Sequence, residues 1–473
     1  MSRAHPMIPQ DNVLALIHSD AYAQWVFETG HPTQGRRFTN AAHRLRMLAP
    51  EHGIEVAPIE ANYFPSFEQL QLAHSMEHIE RTLLDGRSGE WEGTRRDLGS
   101  TALRMAGGTI LAAEALLQGR ALTAVNFAGA KHHAMRDRSS GFCVFNDFAI
   151  AARHVLRSPR RVFCPFTKSM RRVGRIAILD IDAHHGDGTE VLLSDSMRVL
   201  TFSVHDSTIF PGTGGYDEPS CHQFNRPLAA GAGDDELRYA VADFVLMCDR
   251  FRPQMIFIAI GADGHRDDPL STLNYTIDGM VQAVRNVRRA YPELPILLGG
   301  AGGYQPDDVT PQAWAQMALA VAAPVAEGDG YWVAAVGDVG YLDGDEDLGE
   351  PIDEHLQQHA HLFAGDPPIE VDRRLEPDAY HAPVDPVHEF HWHPARIGDI
   401  RAGDRVRVVR DAFTDPEGSR LHNGRVCEVI EVHDADVVCR SVDGREPALT
   451  AARYAPYLLE QWVEDDPDPW PSP

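Results

Sequence analysis

Residues 180–188 read Asp-Ile-Asp-Ala-His-His-Gly-Asp-Gly and follow the run Arg175-Ile-Ala-Ile-Leu179. Side chains of a strand alternate between its faces, so Asp180, Asp182 and His184 are expected to share one. Two carboxylates and an imidazole at the mouth of a Gly-rich loop suit a divalent cation better than an apolar core, because a buried carboxylate must be paired or coordinated. A single Asp at a strand end is equally well explained as a helix cap. Three Asp and two His within these nine residues are not.

A second segment adds proton-transfer chemistry. The run Ala121-Leu-Thr-Ala-Val-Asn-Phe127 leads to His132-His133, then Gly141-Phe142-Cys143 and the helix opening Asn146-Asp147-Phe148. Adjacent histidines serve one metal poorly, but imidazole is the side chain closest to neutrality in pKa, and a neighbouring carboxylate tunes it. Asp180 and Asp187 are the candidates for that tuning. In a chain with 24 histidines the pair alone is a weak sign.

Two further apolar runs end in chemistry. Met255-Ile-Phe-Ile-Ala-Ile260 leads into Gly261-Ala-Asp263, which places Asp263 where another ligand is expected, with Asp268-Pro269-Leu270 just beyond. Pro295-Ile-Leu-Leu298 leads into Gly299-Gly-Ala-Gly-Gly303-Tyr304, where glycines let backbone crowd a site and the Tyr304 hydroxyl can donate to an oxyanion.

These runs, with further strand candidates at Arg198–Val204 and Tyr331–Val336, alternate with amphipathic stretches such as Thr101–Gln118 and Leu237–Cys248. Such alternation predicts an α/β fold: a parallel β-sheet flanked by helices on both faces, with ligands at the carboxyl ends of the strands. Every motif above falls at such an end.

Taken together, His132-His133, Gly141-Phe142-Cys143, Asp180 through Gly188, Phe210-Pro-Gly-Thr-Gly214, Asp263 with Asp268-Pro269-Leu270, and Gly302-Gly303-Tyr304 resemble the histone deacetylase family of zinc amide hydrolases, in order and spacing, across roughly residues 30–345. The resemblance implies the arginase/deacetylase fold and the removal of an acyl group, most simply acetyl, from an N-acylated amine such as N6-acetyl-lysine. It implies Asp182, His184 and Asp263 as zinc ligands, a mixed set that does not strictly exclude iron. His133, oriented by Asp187, would be the general base and then acid, His132 with Asp180 its electrostatic partner, and Tyr304 the oxyanion donor. Gly141, Phe142 and Phe210 would wall the acyl-lysine channel, with Leu270 at its rim, where polyamine deacetylases are expected to carry Glu. A structural potassium would be held by Asp180, the carbonyls of Asp182 and His184, Ser203 and Val204. A second potassium is left open, because His222 stands where an aromatic contributor is expected.

Other readings are a deacylase of a small N-acyl metabolite or polyamine, an arginase-type binuclear hydrolase, which needs further ligands, and a non-catalytic acyl-lysine-binding scaffold. Against the scaffold, no ligand, base or tyrosine is missing.

The chain has 473 residues and a formal net charge of −26, which argues against general nucleic-acid binding and suits basic, lysine-bearing partners. No apolar run reaches membrane-span length and Met1-Ser-Arg-Ala-His-Pro6 lacks a signal pattern. Its six cysteines, Cys143, Cys164, Cys221, Cys248, Cys427 and Cys439, form no CxxC. The expected location is cytoplasmic, with a homo-oligomer possible. The expected organisation is a catalytic domain at 1–346, a linker at 347–395 containing His388, His391 and His393, a small SH3-like β-barrel at 396–460 of a kind that binds peptides or partner subunits, and a disordered tail at 461–473. Residues 157–175, with seven basic and no acidic residues, read as a solvated loop.

Overall fold

The computed structural model describes residues 12–218, 221–326 and 329–334 and, beyond these, the backbone of seven short strands. The chain divides into two units, the larger holding the sheet and helices below and the smaller consisting mainly of residues beyond 380. In chain order the larger contains β1 (Val13–His18), α1 (Arg36–Leu48), β2 (Glu55–Glu60), α2 (Phe67–Leu70), α3 (Met76–Leu83), α4 (Arg96–Leu117), β3 (Thr123–Asn126) and α5 (Asp147–Arg157). There follow β4 (Arg161–Cys164), β5 (Ser169–Arg172), β6 (Ile176–Asp180), α6 (Asp187–Leu193), β7 (Val199–Asp206), β8 (Gln223–Leu228), α7 (Asp234–Phe251), β9 (Met255–Ala259), α8 (Ile277–Ala290), β10 (Ile296–Gly299), α9 (Val309–Ala322) and β11 (Tyr331–Val333).

The apolar runs become the middle of one eight-stranded sheet, ordered β2-β1-β3-β10-β9-β6-β7-β8. All pairings from β2 through β7 are parallel. Strands β3, β10, β9 and β6 are buried at every residue, which is why they read as continuous apolar runs rather than alternating ones. Parallel register brings Asn126, Gly299, Ala259 and Asp180 to the same edge, so the loops after β3, β10, β9 and β6 meet there. Helices α1, α9, α8 and α7 pack in succession as one layer, and α4 and α5 form another.

The basic segment is not a simple loop. β4 and β5 pair antiparallel, Val162 and Cys164 are buried, and the Phe166 ring lies 6.1 Å from that of Tyr291. A hairpin needs only one face covered, and the outward arginines hide that half-alternation in the sequence.

Past the larger unit's sheet, β12 (Ile369–Val371) pairs antiparallel with β11, inside the expected linker. In the second unit β13 (Trp392–Pro394), β14 (Arg405–Val408), β15 (Val426–Val432), β16 (Val437–Ser441), β17 (Ala452–Tyr454) and β18 (Leu459–Trp462) form a sheet ordered β13-β18-β14-β15-β16-β17. Its pairings are antiparallel, which fits alternating strands joined by polar turns. The structure supports these strands but not their closure into the SH3-like barrel expected at 396–460. The side chains of His388, His391 and His393, and the tail from Glu464, lie outside the described residues.

Candidate active site

β6 ends at Asp180, so Asp182 and His184 lie in the turn beyond it and not on a common strand face. Asp180 turns away from the other two: its Oδ1 accepts from the Asp182 N–H and its Oδ2 from His132. The turn instead faces the end of β9. Ligand atoms of Asp182, His184 and Asp263 all lie within 4.8 Å of one another, with all three residues buried. The His184 Nδ1 is 3.1 Å from Asp182 Oδ1 and 3.0 Å from Asp263 Oδ2. Backbone fixes the carboxylates, since the Ala183 N–H donates to Asp263 and the Gly302 N–H to Asp182. A Cβ at Gly302 would overlap the Asp263 carboxylate, so glycine is required there.

Electrostatics say what this cluster lacks. Burial and the Asp182 carboxylate push the Asp263 carboxyl up. Burial lowers His184, but its bonds to the two carboxylates overcome that and raise it to about 11. Two buried carboxylates thus converge on one imidazole, the place a cation would take. The oxygen–nitrogen–oxygen donor set fits Zn2+ and leaves coordination positions open.

The histidine pair sits against this cluster, its ring centroids 4.0 Å apart. Each has its own carboxylate: His132 Nδ1 lies 2.7 Å from Asp180 and His133 Nδ1 2.7 Å from Asp187. With Nδ1–H donated to a carboxylate, each neutral ring presents Nε2 as a base. The two are then driven apart. For His132 burial is outweighed by Asp180 and Asp182, which hold its imidazolium and raise it to about 9. For His133 burial and the neighbouring His132 charge win over Asp187 and lower it to about 4. The two rings are shifted in opposite directions, the division that acid–base pairs exploit.

The rim is built from the expected residues. Phe210 is half exposed, with its ring 5.0 Å from that of His133. Gly141 has φ +53° and a Cβ there would enter the His133 ring, while Phe142 is held by its N–H donating to Glu90. The Phe142 ring lies 6.0 Å from that of Tyr304. Burial and the Asp263 carboxylate push the Tyr304 hydroxyl well above its ordinary value, so it stays protonated as a donor. Asp268 links rim and tyrosine, accepting from the Tyr304 N–H at 2.7 Å and the Leu270 N–H at 3.0 Å. Ser203 lies opposite Asp180 in register on β7, and its hydroxyl is 3.0 Å from His205 Nδ1. His222 directs Nδ1 to the Met197 carbonyl.

Several supporting residues escaped the sequence reading. Asn146 donates to the carbonyls of His132 and Ala134, and Asp147 accepts from the Ala130 and Lys131 N–H groups, so the start of α5 clamps the histidine segment. His74 locks Asn146 in turn, its Nε2 accepting the Asn146 N–H and its Nδ1 meeting the Met135 carbonyl. Arg37, buried in α1, donates to the Gly303 carbonyl and lies over the Tyr304 ring. The Asn-Asp pair before a helix was a readable capping signal. Arg37 offered none.

Fold and site together define an α/β protein whose parallel sheet opens, at its carboxyl edge, onto a buried cluster of three candidate cation ligands flanked by a histidine pair and a tyrosine. The family described as "Histone deacetylase domain" matches residues 31–321, and the chain belongs to that family. The acetoin utilization protein AcuC of Bacillus subtilis (strain 168) is 31% identical over 331 residues, covering 64% of this chain and 80% of that protein. Histone deacetylase 8 of Xenopus laevis is 30% identical over 261 residues, covering 50% of this chain and 75% of its own length. Among solved structures, the crystal structure of the HDA15 HD domain superposes with a TM-score of 0.57 at 22% identity, covering 66% of this chain and 89% of that one, a likeness of fold. Among the described residues no helix is long and apolar enough to cross a membrane.

Proposed function

We propose that this chain is a cytoplasmic, zinc-dependent deacylase that hydrolyses the amide of an N-acylated amine, most simply N6-acetyl-lysine. The observation that carries the reading is the pair of histidines, each on its own carboxylate, set against the Asp182, His184 and Asp263 cluster. Family membership supports a hydrolase acting on amide bonds. When bound, the zinc supplies a Lewis acid for the acyl carbonyl and acidifies a water; iron is the alternative occupant. The neutral His133 takes the proton of the attacking water at Nε2 and passes it to the departing amine, with Asp187 holding the ring. The His132 imidazolium, fixed by Asp180, stabilises the negative charge that develops. The Tyr304 hydroxyl donates to the developing oxyanion. Phe142 and Phe210 grip the aliphatic stem, with Leu270 at the rim. Asp180 and Ser203, with the carbonyls of Asp182, His184 and Val204, would hold a potassium ion that ties β6 to β7.

The lysine substrate is favoured by the chain's acidity and by Leu270, which offers no carboxylate to a polyamine. The test is turnover by zinc-loaded protein on acetyl-lysine peptides, N-acetylpolyamines and small N-acyl amines, run beside Tyr304→Phe. Turnover that needs Tyr304 supports the hydrolase, and the preferred amine identifies the substrate class. Equal rates in both proteins overturn the mechanism. Zinc-loaded protein inert on the whole panel would favour the scaffold reading.

A further inference from the structure

Phe142 has a backbone conformation that a bulky residue disfavours. Its φ is +62° and that of Gly141 +53°, so two successive residues occupy the left-handed region. The turn that carries them is closed at its base, where the Ser140 N–H donates to the Cys143 carbonyl and the Cys143 N–H to the Ser140 carbonyl. Its inner side is full, since a side chain at Gly141 would enter the His133 ring. The Phe142 ring lies 4.7 Å from that of His31 and 6.0 Å from that of Tyr304.

A second turn faces this one. Ser88 and Trp91 pair across it, the Trp91 indole N–H donates to the Gly86 carbonyl at 3.0 Å, and the Trp91 ring packs 5.8 Å from that of Phe27. The Ser88 hydroxyl donates to Ser139 Oγ at 2.8 Å and accepts the Glu90 N–H at 3.2 Å. From this braced turn Glu90 reaches across, and its Oε2 accepts the Phe142 N–H at 2.8 Å. Among the described residues that N–H is the one hydrogen-bond partner of the Glu90 side chain. Burial pushes the Glu90 carboxyl up, and the bond to Phe142 draws it back.

The Phe142 N–H finds no acceptor inside its own turn, because the two backbone bonds there join Ser140 and Cys143 to each other. A half-buried N–H without a partner is costly, so the outside acceptor offsets the left-handed backbone. Without it, Gly141 and Phe142 are free to return to negative φ, and the ring leaves its place beside His31 and Tyr304.

Resting on the deacylase reading, we propose that Glu90 is a positioning residue that sets the Phe142 wall of the acyl channel and thereby restricts it to short acyl groups. Reach is what the position demands, not charge. Gln spans the same length and keeps a carbonyl oxygen, whereas Asp keeps the charge and stops one methylene short.

The test has a kinetic and an exchange arm, on wild type, Glu90→Ala, Glu90→Asp and Glu90→Gln. With acetyl- and butyryl-lysine peptides, the Ala and Asp variants should raise KM for the acetyl peptide about tenfold while kcat stays within about threefold. Their butyryl-to-acetyl ratio of kcat/KM should rise about threefold or more, and Glu90→Gln should restore both quantities towards wild type. In the exchange arm, the Phe142 amide should lose hydrogen-exchange protection in the Ala and Asp variants and keep it in Glu90→Gln. A normal Glu90→Asp beside an impaired Glu90→Gln overturns the proposal, since charge would then be what matters. A ratio unmoved in both Ala and Asp variants that still cleave acetyl-lysine also overturns it and leaves the deacylase reading intact. If no acyl peptide is cleaved, the deacylase reading fails and the exchange arm decides alone: protection that follows reach sustains the clasp, and equal protection in all four proteins ends it.

Discussion

Tyr304→Phe deletes one hydroxyl from a residue whose backbone is pinned by Asp268, so its loss is expected to be chemical and not structural. A single oxyanion donor contributes roughly 3–4 kcal/mol to transition-state stabilisation, and kcat should fall by about 10²–10³ with metal content unchanged. Metal analysis beside single-turnover rates checks both halves of that statement. Asp182→Ala should behave differently. It removes a ligand whose oxygens also fix the His184 and Gly302 N–H groups, so zinc should be lost outright. Full zinc occupancy in that variant would show that the ligand set is wrongly assigned. The candidate site residues stood out because polar residue types follow apolar runs there. Arg37 and Lys131 did not, since their surroundings depend on partners that only the tertiary fold supplies. Lys131 reads in sequence as one more loop lysine; its burial alone sets it apart.

At the scale of elements, the start of α5 holds the histidine segment, and His74 holds α5. His74 is lowered to about 3 by burial and by the nearby His78. A histidine whose folded pKa lies below its unfolded value of about 6.5 leaves the proton preferentially with the unfolded chain. Stability should therefore be intact above about pH 6.5 and decline as the pH falls towards 3. The contribution is at most about 1.4 kcal/mol per pH unit for the one proton. Urea midpoints of metal-free protein between pH 7 and 4.5 should show a shallower slope for His74→Gln than for wild type. Equal slopes would remove His74 from the account. Strand positions were readable because β6, β9 and β10 are almost wholly apolar and run into glycine or acid. The β4–β5 hairpin was not, because its arginines dominate the composition while two small buried residues do the packing.

For the whole molecule, the candidate cation site would tie metal to fold and to pH. Chelation should lower the melting temperature, since a metal that binds only the native chain adds about 4 kcal/mol at a thousandfold excess over its Kd. Because His184 holds a proton near pH 8 when no cation is present, metal uptake there should release close to one proton. Calorimetry in buffers of different ionisation enthalpy measures it, and an uptake independent of buffer would contradict the placement of the metal between His184 and the two carboxylates.

Helix α1 carries a consequence of another kind. Arg36 grips Asp307 with two hydrogen bonds, Arg37 reaches Gly303, Asn40 reaches Pro306 and Arg44 reaches Gln312. The tyrosine loop is thus fastened to residues that left the ribosome 266 to 271 positions earlier. While the chain is being made, α1 waits without its partner, and the long loop between them closes only after the last strands of the sheet are translated. A nascent chain stalled before residue 303 has its three candidate metal ligands but neither Tyr304 nor the loop residues that α1 clasps. Synthesis itself therefore delays the onset of hydrolysis until the larger unit is nearly complete.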